Sequence, residues 1–239
     1  MMQIELQLNR LRLKGMSRSW QALMETRRAH ELTLSEGLEL LLQAEEEERL
    51  NKRFERLQNN AKFRYQASLE ELTYDASRGL DRDLMATLAT CQYITRGEAL
   101  LITGPTGSGK SFLASGMGHH ACVHGYSVSY YNTQKLLIKA KMARLDGSLL
   151  KFFDKIAKTS LVILDDFGLT HLDQQQQLDL MEIIEDRHGK TSTIIASQLP
   201  VANWYDVIGE QTIADAILDR LVHTSYRIEL KGESLRKKR

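Results

Sequence analysis

The chain has 239 residues, 42% of them hydrophobic and 26% charged, with a formal net charge of +1. This is the profile of an ordinary globular protein, long enough for one large domain or one domain with an appendage. It excludes a polycation, so any surface for nucleic acid has to be a local patch.

Met1 to Arg12 mixes Glu5, Arg10 and Arg12 into its apolar residues, unlike a secretory signal. No stretch approaches the roughly 18 apolar residues of a membrane span. Cys91 and Cys122 stand apart, which fits a reducing cytoplasm. Only two prolines occur, Pro105 and Pro200, so the first hundred residues predict long helices. Leu8, Leu11, Met16, Trp20 and Leu23 recur at helical spacing within Leu6 to His30. Thr33-Leu34-Ser35-Glu36 reads as a capping box opening a helix from Ser35 through Tyr65. In that helix Glu45 to Glu48 precede Arg49, Lys52, Arg53 and Arg56, a pattern that supports an exposed helix through i,i+4 pairs. A polar link, Ser77 to Arg82, leads to a further helix over Leu84 to Tyr93.

Beyond Gly97 strand and helix patterns alternate. Ala99–Thr103, Ser127–Tyr131, Leu161–Leu164, Thr193–Ala196 and Ser225–Leu230 read as strands, several of them continuously apolar. Such strands between helices predict an α/β domain with a mostly parallel sheet flanked by helices. The expected division is a small all-helical N-terminal domain over residues 1–68 and the α/β domain over 69–239.

Gly104-Pro105-Thr106-Gly107-Ser108-Gly109-Lys110-Ser111 matches the phosphate-loop pattern G-x-x-x-x-G-K-[ST] in full. A strand precedes it and a helical pattern, Phe112 to Cys122, follows. Glycines let backbone N–H groups converge on phosphate oxygens, and the new helix turns its positive end toward them. The loop predicts a P-loop NTPase that binds ATP with Mg²⁺. Lys110 is expected to reach the β- and γ-phosphates and Ser111 to coordinate the metal. Leu161–Leu164 ends in Asp165-Asp166, two carboxylates that are costly at a strand end unless it opens on a polar site. Asp165 is assigned to Mg²⁺ and Asp166 to the attacking water. A helix N-cap or a turn aspartate is the plainer alternative.

The segments GPTGSGKS, LVILDDFG, TIIASQLP and ILDRLVHTSYRIELKGESLRKKR, with MSRSWQALMETRRAHELTLSEGLELLLQAEEEER upstream, resemble the IstB-type ATP-binding helper proteins of bacterial insertion sequences. These are similar to the helicase loader DnaC and belong with the AAA+ ATPases. Asp165-Asp166-Phe167-Gly168, Ser197-Gln198-Leu199-Pro200 and Trp204 favour the helper over the loader. The resemblance implies nucleotide contacts from residues 104–112, Phe112 included, and from Arg236 as a second sensor. It also implies catalytic roles for Lys110 and Asp166, for Ser197 (or its neighbour Gln198) as a polar sensor, and for Arg220 as an arginine finger reaching an adjacent subunit. Plainer alternatives are a strand-end turn at Ser197, a surface pair of Arg220 with Asp215 or Asp219, and a basic tail at Arg236–Arg239. AAA+ proteins usually carry Asp-Glu where this chain has Asp165-Asp166. The shorter side chain predicts slow hydrolysis, suited to a timing switch.

Duplex DNA is an expected partner on the strength of the resemblance, with contacts directed at the backbone and little sequence preference. Two basic sets are candidates: Arg10, Arg12, Lys14, Arg18, Arg27 and Arg28 with Arg49, Lys52, Arg53, Arg56, Lys62 and Arg64, and the group Lys135, Lys139, Lys141 and Arg144. An ordinary solvated helix face explains each equally well. Trp20 and Trp204 read as packing residues. The seven histidines show no metal spacing. Three functions compete: an ATP-dependent transposition helper that self-associates on DNA and recruits a transposase, a helicase loader, and a small-molecule kinase. For the kinase, no arginine-rich lid is visible.

Overall fold

The structure is a computed structural model in which residues 2–72 and 76–235 are described. The chain separates into two compact units, Met1–Arg56 and Leu57–Arg239.

The first unit contains α1 (Met2–Arg10), α2 (Lys14–Glu25) and a 3₁₀ turn (Arg28–His30), then enters α3 (Leu34–Ala61). The expected first helix is therefore two. Arg12 adopts a left-handed φ of 61°, a conformation that breaks the helix. The capping box forms: Thr33 N donates to Glu36 Oε2 at 2.8 Å and Glu36 N to Thr33 Oγ1 at 3.3 Å. Gly15 is required by close approach, since a Cβ there would sit 2.2 Å from Ala44 O. Buried Glu45 accepts from the α2 amides Gly15 N at 2.8 Å and Met16 N at 3.3 Å, and from Arg49 Nε at 2.8 Å. Burial opposes its charged form, but Arg49 and the two amides outweigh it and hold the carboxyl below its usual value. Glu48 pairs with Arg18 and Lys52. The acidic run thus fastens α2 to α3 as well as pairing along its own helix. Leu34, Leu38 and Leu42, at i, i+4 and i+8 of α3, stay 90%, 50% and 55% exposed.

In the second unit α4 (Arg82–Ala89) and α5 (Gln92–Thr95) precede β1 (Ala99–Thr103). Here too one expected helix is split, by the left-handed Cys91. The phosphate loop leads into α6 (Lys110–Val123). Then come β2 (Val128–Asn132), α7 (Thr133–Leu145), α8 (Leu149–Ala157), β3 (Leu161–Phe167), α9 (Gln174–Arg187), β4 (Ser192–Ser197), α10 (Trp204–Ile208), α11 (Gln211–Val222) and β5 (Ser225–Glu229). All five strands pair in parallel, in the order β2-β3-β4-β1-β5. Alternation along the strands sends side chains to opposite faces. Leu101, Val162, Leu164 and Ile195 join one core cluster with residues of α7 to α11. Ile163, on the other face, meets α6, where a Cβ on Gly118 would lie 2.8 Å from its Cδ1. Trp204 is fully buried, its ring 4.8 Å from that of Phe167, a packing residue as its sequence context suggests. Burial on both faces explains the unbroken apolar runs in the inner strands.

Candidate nucleotide site

The site opens at the carboxyl ends of β1, β3 and β4, the edge where ligands bind in such sheets. Gly104, Gly107 and Gly109 have φ of 145°, 81° and 103°, values that favour glycine and curl the loop. Lys110 is buried, and its Nζ donates to Gly104 O and Pro105 O, both at 2.8 Å. Ser108 Oγ is buried without a hydrogen-bond partner among the described residues, an arrangement that calls for an acceptor from outside the chain. The segment after β5 lies along the loop. Leu230 N donates to Thr103 O at 2.7 Å, Leu235 N to Gly107 O at 3.0 Å, and Ser234 sits where a Gly107 side chain would project. Arg236, next in the chain, lies outside the described residues.

Ser111 Oγ donates to Asp165 Oδ1 at 3.0 Å, so the two expected metal ligands are neighbours. Asp165 is 1% exposed. Its Oδ2 accepts from Tyr130 Oη and, at 3.2 Å, from Arg64 Nη1. Asp166 Oδ2 accepts from the same Arg64 Nη1 and from Asn132 Nδ2, each at 2.9 Å. Asp166 has a φ of 57° and lies where the β3–β4 register shifts, between Leu164 and Phe167. This bulge lets successive carboxylates turn toward one site. For Tyr130, burial, the hydrogen bond to Asp165 and that residue's charge together push the phenol well above its ordinary value, so it acts as a donor. For Arg64, burial works downward, but Asp166 and then Tyr65 and Asp165 outweigh it and hold the guanidinium charged. A cation already bridges both carboxylates, Ser111 stands beside them, and an unpartnered hydroxyl lies in the loop. This donor set fits a phosphate chain with a divalent metal.

Ser197 is fully buried and turned into the sheet. It donates to Phe167 O at 2.8 Å and accepts from Leu199 N at 3.1 Å. The residue that reaches the loop is Gln198, whose Oε1 accepts from Thr106 Oγ1 at 2.7 Å. Phe112 lies in the first turn of α6 and meets the Tyr65 ring at 6.4 Å between centroids. Arg220 projects from α11 and pairs with Glu185 of α9, while its Nη1 donates to Ala216 O at 2.8 Å. Neither Asp215 nor Asp219 is its partner in these pairs.

Sequence reasoning missed Tyr130 and Asn132 as members of the site, and it counted Arg64 among the bases of a candidate DNA-contacting set. In that set Arg49 is engaged by Glu45. In the second basic set Arg144 is engaged by Asp179, while Lys139 lies 5.3 Å from the centre of the Tyr131 ring. Among the described residues Cys91, His120 and His124 form one group with metal-ligand atoms near each other, a juxtaposition the sequence spacing did not reveal. Those atoms all lie within 4.8 Å of one another. No helix among the described residues is long and apolar enough to cross a membrane.

Sheet order, loop and carboxylates define the P-loop fold of the AAA+ type. Among solved structures, the chain is similar to the DnaC helicase loader, with a TM-score of 0.59 at 19% identity over 70% of this chain and 98% of that one. It is also similar to the replication initiator DnaA bound to AMPPCP and single-stranded DNA, with a TM-score of 0.58 at 17% identity over 72% and 52%. At these identities the likeness concerns the fold. The chain belongs to the family described as IstB-like ATP binding protein, which its residues 6–239 match. It is 43% identical over 230 residues to the putative insertion sequence ATP-binding protein y4pL of Sinorhizobium fredii, covering 96% of this chain and 94% of that one. It is 44% identical over 195 residues to the putative ATP-binding protein of insertion sequence IS1162 from Pseudomonas fluorescens, covering 81% and 84%.

Proposed function

We propose that the chain is an ATP-dependent transposition helper: it binds ATP with Mg²⁺, self-associates on duplex DNA, recruits or stimulates a transposase, and hydrolyses ATP slowly. The observation that carries the nucleotide half is the junction of Ser111, Asp165 and Asp166 beside a loop whose buried Ser108 hydroxyl lacks a partner. Family membership and the insertion-sequence relatives carry the other half.

Ser111 and Asp165 would hold Mg²⁺, which when bound neutralises phosphate charge. Lys110 trades its two carbonyl partners for the β- and γ-phosphates. Loop amides and the start of α6 orient the phosphate chain. Asp166 orients the attacking water. Gln198, held at the loop by the hydrogen bond its carbonyl oxygen accepts from Thr106, takes the polar sensor role in place of Ser197. Arg220 serves a neighbouring subunit's nucleotide, and for that it releases Glu185. The helical N-terminal domain serves assembly or partner contact, a role supported by the exposed stripe Leu34, Leu38 and Leu42.

The test is duplex-DNA binding at fixed salt with ATP, with ADP and with Lys110→Ala, following complex size by sedimentation; salt is fixed because phosphate contacts dominate such affinities. The expected result is large duplex-bound assemblies with ATP only, lost in Lys110→Ala. Duplex binding and size that ignore nucleotide would overturn the reading. Preference for single strands together with tight binding to a replicative helicase would favour a loader instead.

A further inference from the structure

After α3 ends at Ala61, with Lys62 in a left-handed turn at φ 57°, residues 62–69 run as a strap along α6. Phe63 lies on Gly118, where a Cβ would fall 2.5 Å from its ring, and it meets the Tyr130 ring edge-on at 6.4 Å. Tyr65 faces Phe112 at 6.4 Å, and Ala67 and Leu69 are buried. From this strap one side chain, Arg64, reaches the carboxylates. Its Nη1 alone bridges Asp165 and Asp166, while its guanidinium carbon is 5.6 Å from the centre of the Tyr65 ring. The guanidinium is 42% exposed, whereas the Asp165 side chain is 2% exposed. A half-exposed monovalent cation therefore rests on a more deeply buried anionic pair, at the place where Ser111 and Asp165 would hold a divalent one.

We infer that Arg64 is a positioning residue that acts as the resident counter-cation of Asp165 and Asp166, competes with the metal of a metal–nucleotide complex, and leaves the carboxylates when that complex binds, loosening the strap. The inference rests on the nucleotide-binding reading above. Its basis is electrostatic. Two carboxylates that converge on one point repel each other, and a cation between them offsets that repulsion. A divalent ion carrying phosphate ligands, with the Ser111 hydroxyl at hand, offers twice the charge of the guanidinium. The coupling is reciprocal: whatever undocks Arg64 raises affinity for metal–nucleotide, and metal–nucleotide undocks Arg64. An exposed ion pair is worth little and a buried one more. Arg64 lies between those limits, so its removal is expected to change metal affinity by about tenfold.

Two measurements on the full chain test this. The first is trypsin cleavage after Arg64, mapped by mass spectrometry. Docking predicts slow cleavage without nucleotide and faster cleavage in Asp165→Asn/Asp166→Asn. It also predicts acceleration of the wild type by Mg²⁺ with a non-hydrolysable ATP analogue, and none by the analogue with EDTA. The second is the Mg²⁺ concentration that half-saturates binding of a fluorescent ATP analogue. Arg64→Gln is expected to lower it about tenfold and Arg64→Lys less. Arg64→Gln binding that is unchanged or weaker would overturn the inference, as would cleavage indifferent to the two aspartates. A wild type that binds no nucleotide while the aspartate variant still speeds cleavage would overturn the nucleotide reading instead.

Discussion

Ser197 and Gln198 are adjacent, yet their side chains enter different environments, and substitution separates them. Ser197→Ala removes a hydroxyl that donates to Phe167 O at 2.8 Å and accepts from Leu199 N at 3.1 Å, at a fully buried position. Two backbone groups lose their partner just beyond the bulge that carries Asp166. Unsatisfied buried groups of this kind cost about 1–3 kcal/mol. For a chain of this length about 2–4 °C of melting temperature is lost per kcal/mol, so the expected drop is about 2–12 °C. Because Ser197 Oγ points into the sheet, hydrolysis at saturating ATP below that melting range should change less than about threefold. Gln198→Ala has the opposite profile. Its half-exposed bond to Thr106 contributes little to folding, but loss of a preorganised donor near developing charge slows turnover by about tenfold or more. Differential scanning fluorimetry and single-turnover hydrolysis on the same preparations give both readouts. A Ser197→Ala protein that melts normally but no longer hydrolyses ATP, or a Gln198→Ala protein that hydrolyses normally, would refute the assignment.

Three further substitutions test the packing that presents the site. Gly107→Ala places a Cβ 2.1 Å from Ser234 Oγ at a φ of 81°; with about 1–2 kcal/mol of backbone strain added, it should displace residues 231–235 from the loop and abolish nucleotide binding by titration calorimetry. Arg187→Met removes a buried guanidinium that donates to Ile156 O at 2.5 Å, Thr159 O at 2.8 Å, Thr193 Oγ1 at 3.0 Å and Ser192 O. Ile156 O keeps a bond from Thr159 N, but the lost bonds at the other carbonyls outweigh the relief of burying no charge, so about 2–4 kcal/mol should be lost in urea unfolding. Gly15→Ala drives a Cβ to 2.2 Å from Ala44 O. It should destabilise the helical unit by about 2–3 kcal/mol, seen as faster proteolysis within residues 1–56, and leave nucleotide affinity unchanged.

The phosphate loop was legible because its chemistry is contiguous in sequence: glycines, lysine and serine act within eight residues, G104 to S111. The strands were legible because burial on both faces leaves unbroken apolar runs. The rest of the site depends on strand order and on a returning segment, which no local pattern encodes. Asn132 pairs in register with Asp165 across β2 and β3, but sequence does not say that these strands are neighbours. Arg64 meets Asp165 across 101 residues. On its own stretch of chain it looks like one more base after a charged helix, hence its place in the candidate basic set. The helix breaks at Arg12 and Cys91 are single left-handed residues that are not glycine, so composition gives no warning of them.

The same geometry bears on how fast the site can turn over. Asp166 is short, and its Oδ2 already accepts from Arg64 and Asn132. A water that needs this carboxylate must share it with two donors, one of them charged. Arg220 is likewise engaged, by Glu185 and by its own helix. On the proposed reading, then, neither hydrolytic group is ready in a lone chain. Binding of metal–nucleotide releases Asp166 from Arg64, and contact with a neighbour draws Arg220 from Glu185. Hydrolysis requires both, so its rate follows assembly, as a timing switch demands, and a lone chain saturated with ATP keeps its nucleotide. A Glu185→Gln chain, with the neighbour's finger already freed, should hydrolyse faster at a given degree of assembly. Equal rates in single-turnover assays at matched complex size would show that Glu185 does not restrain Arg220.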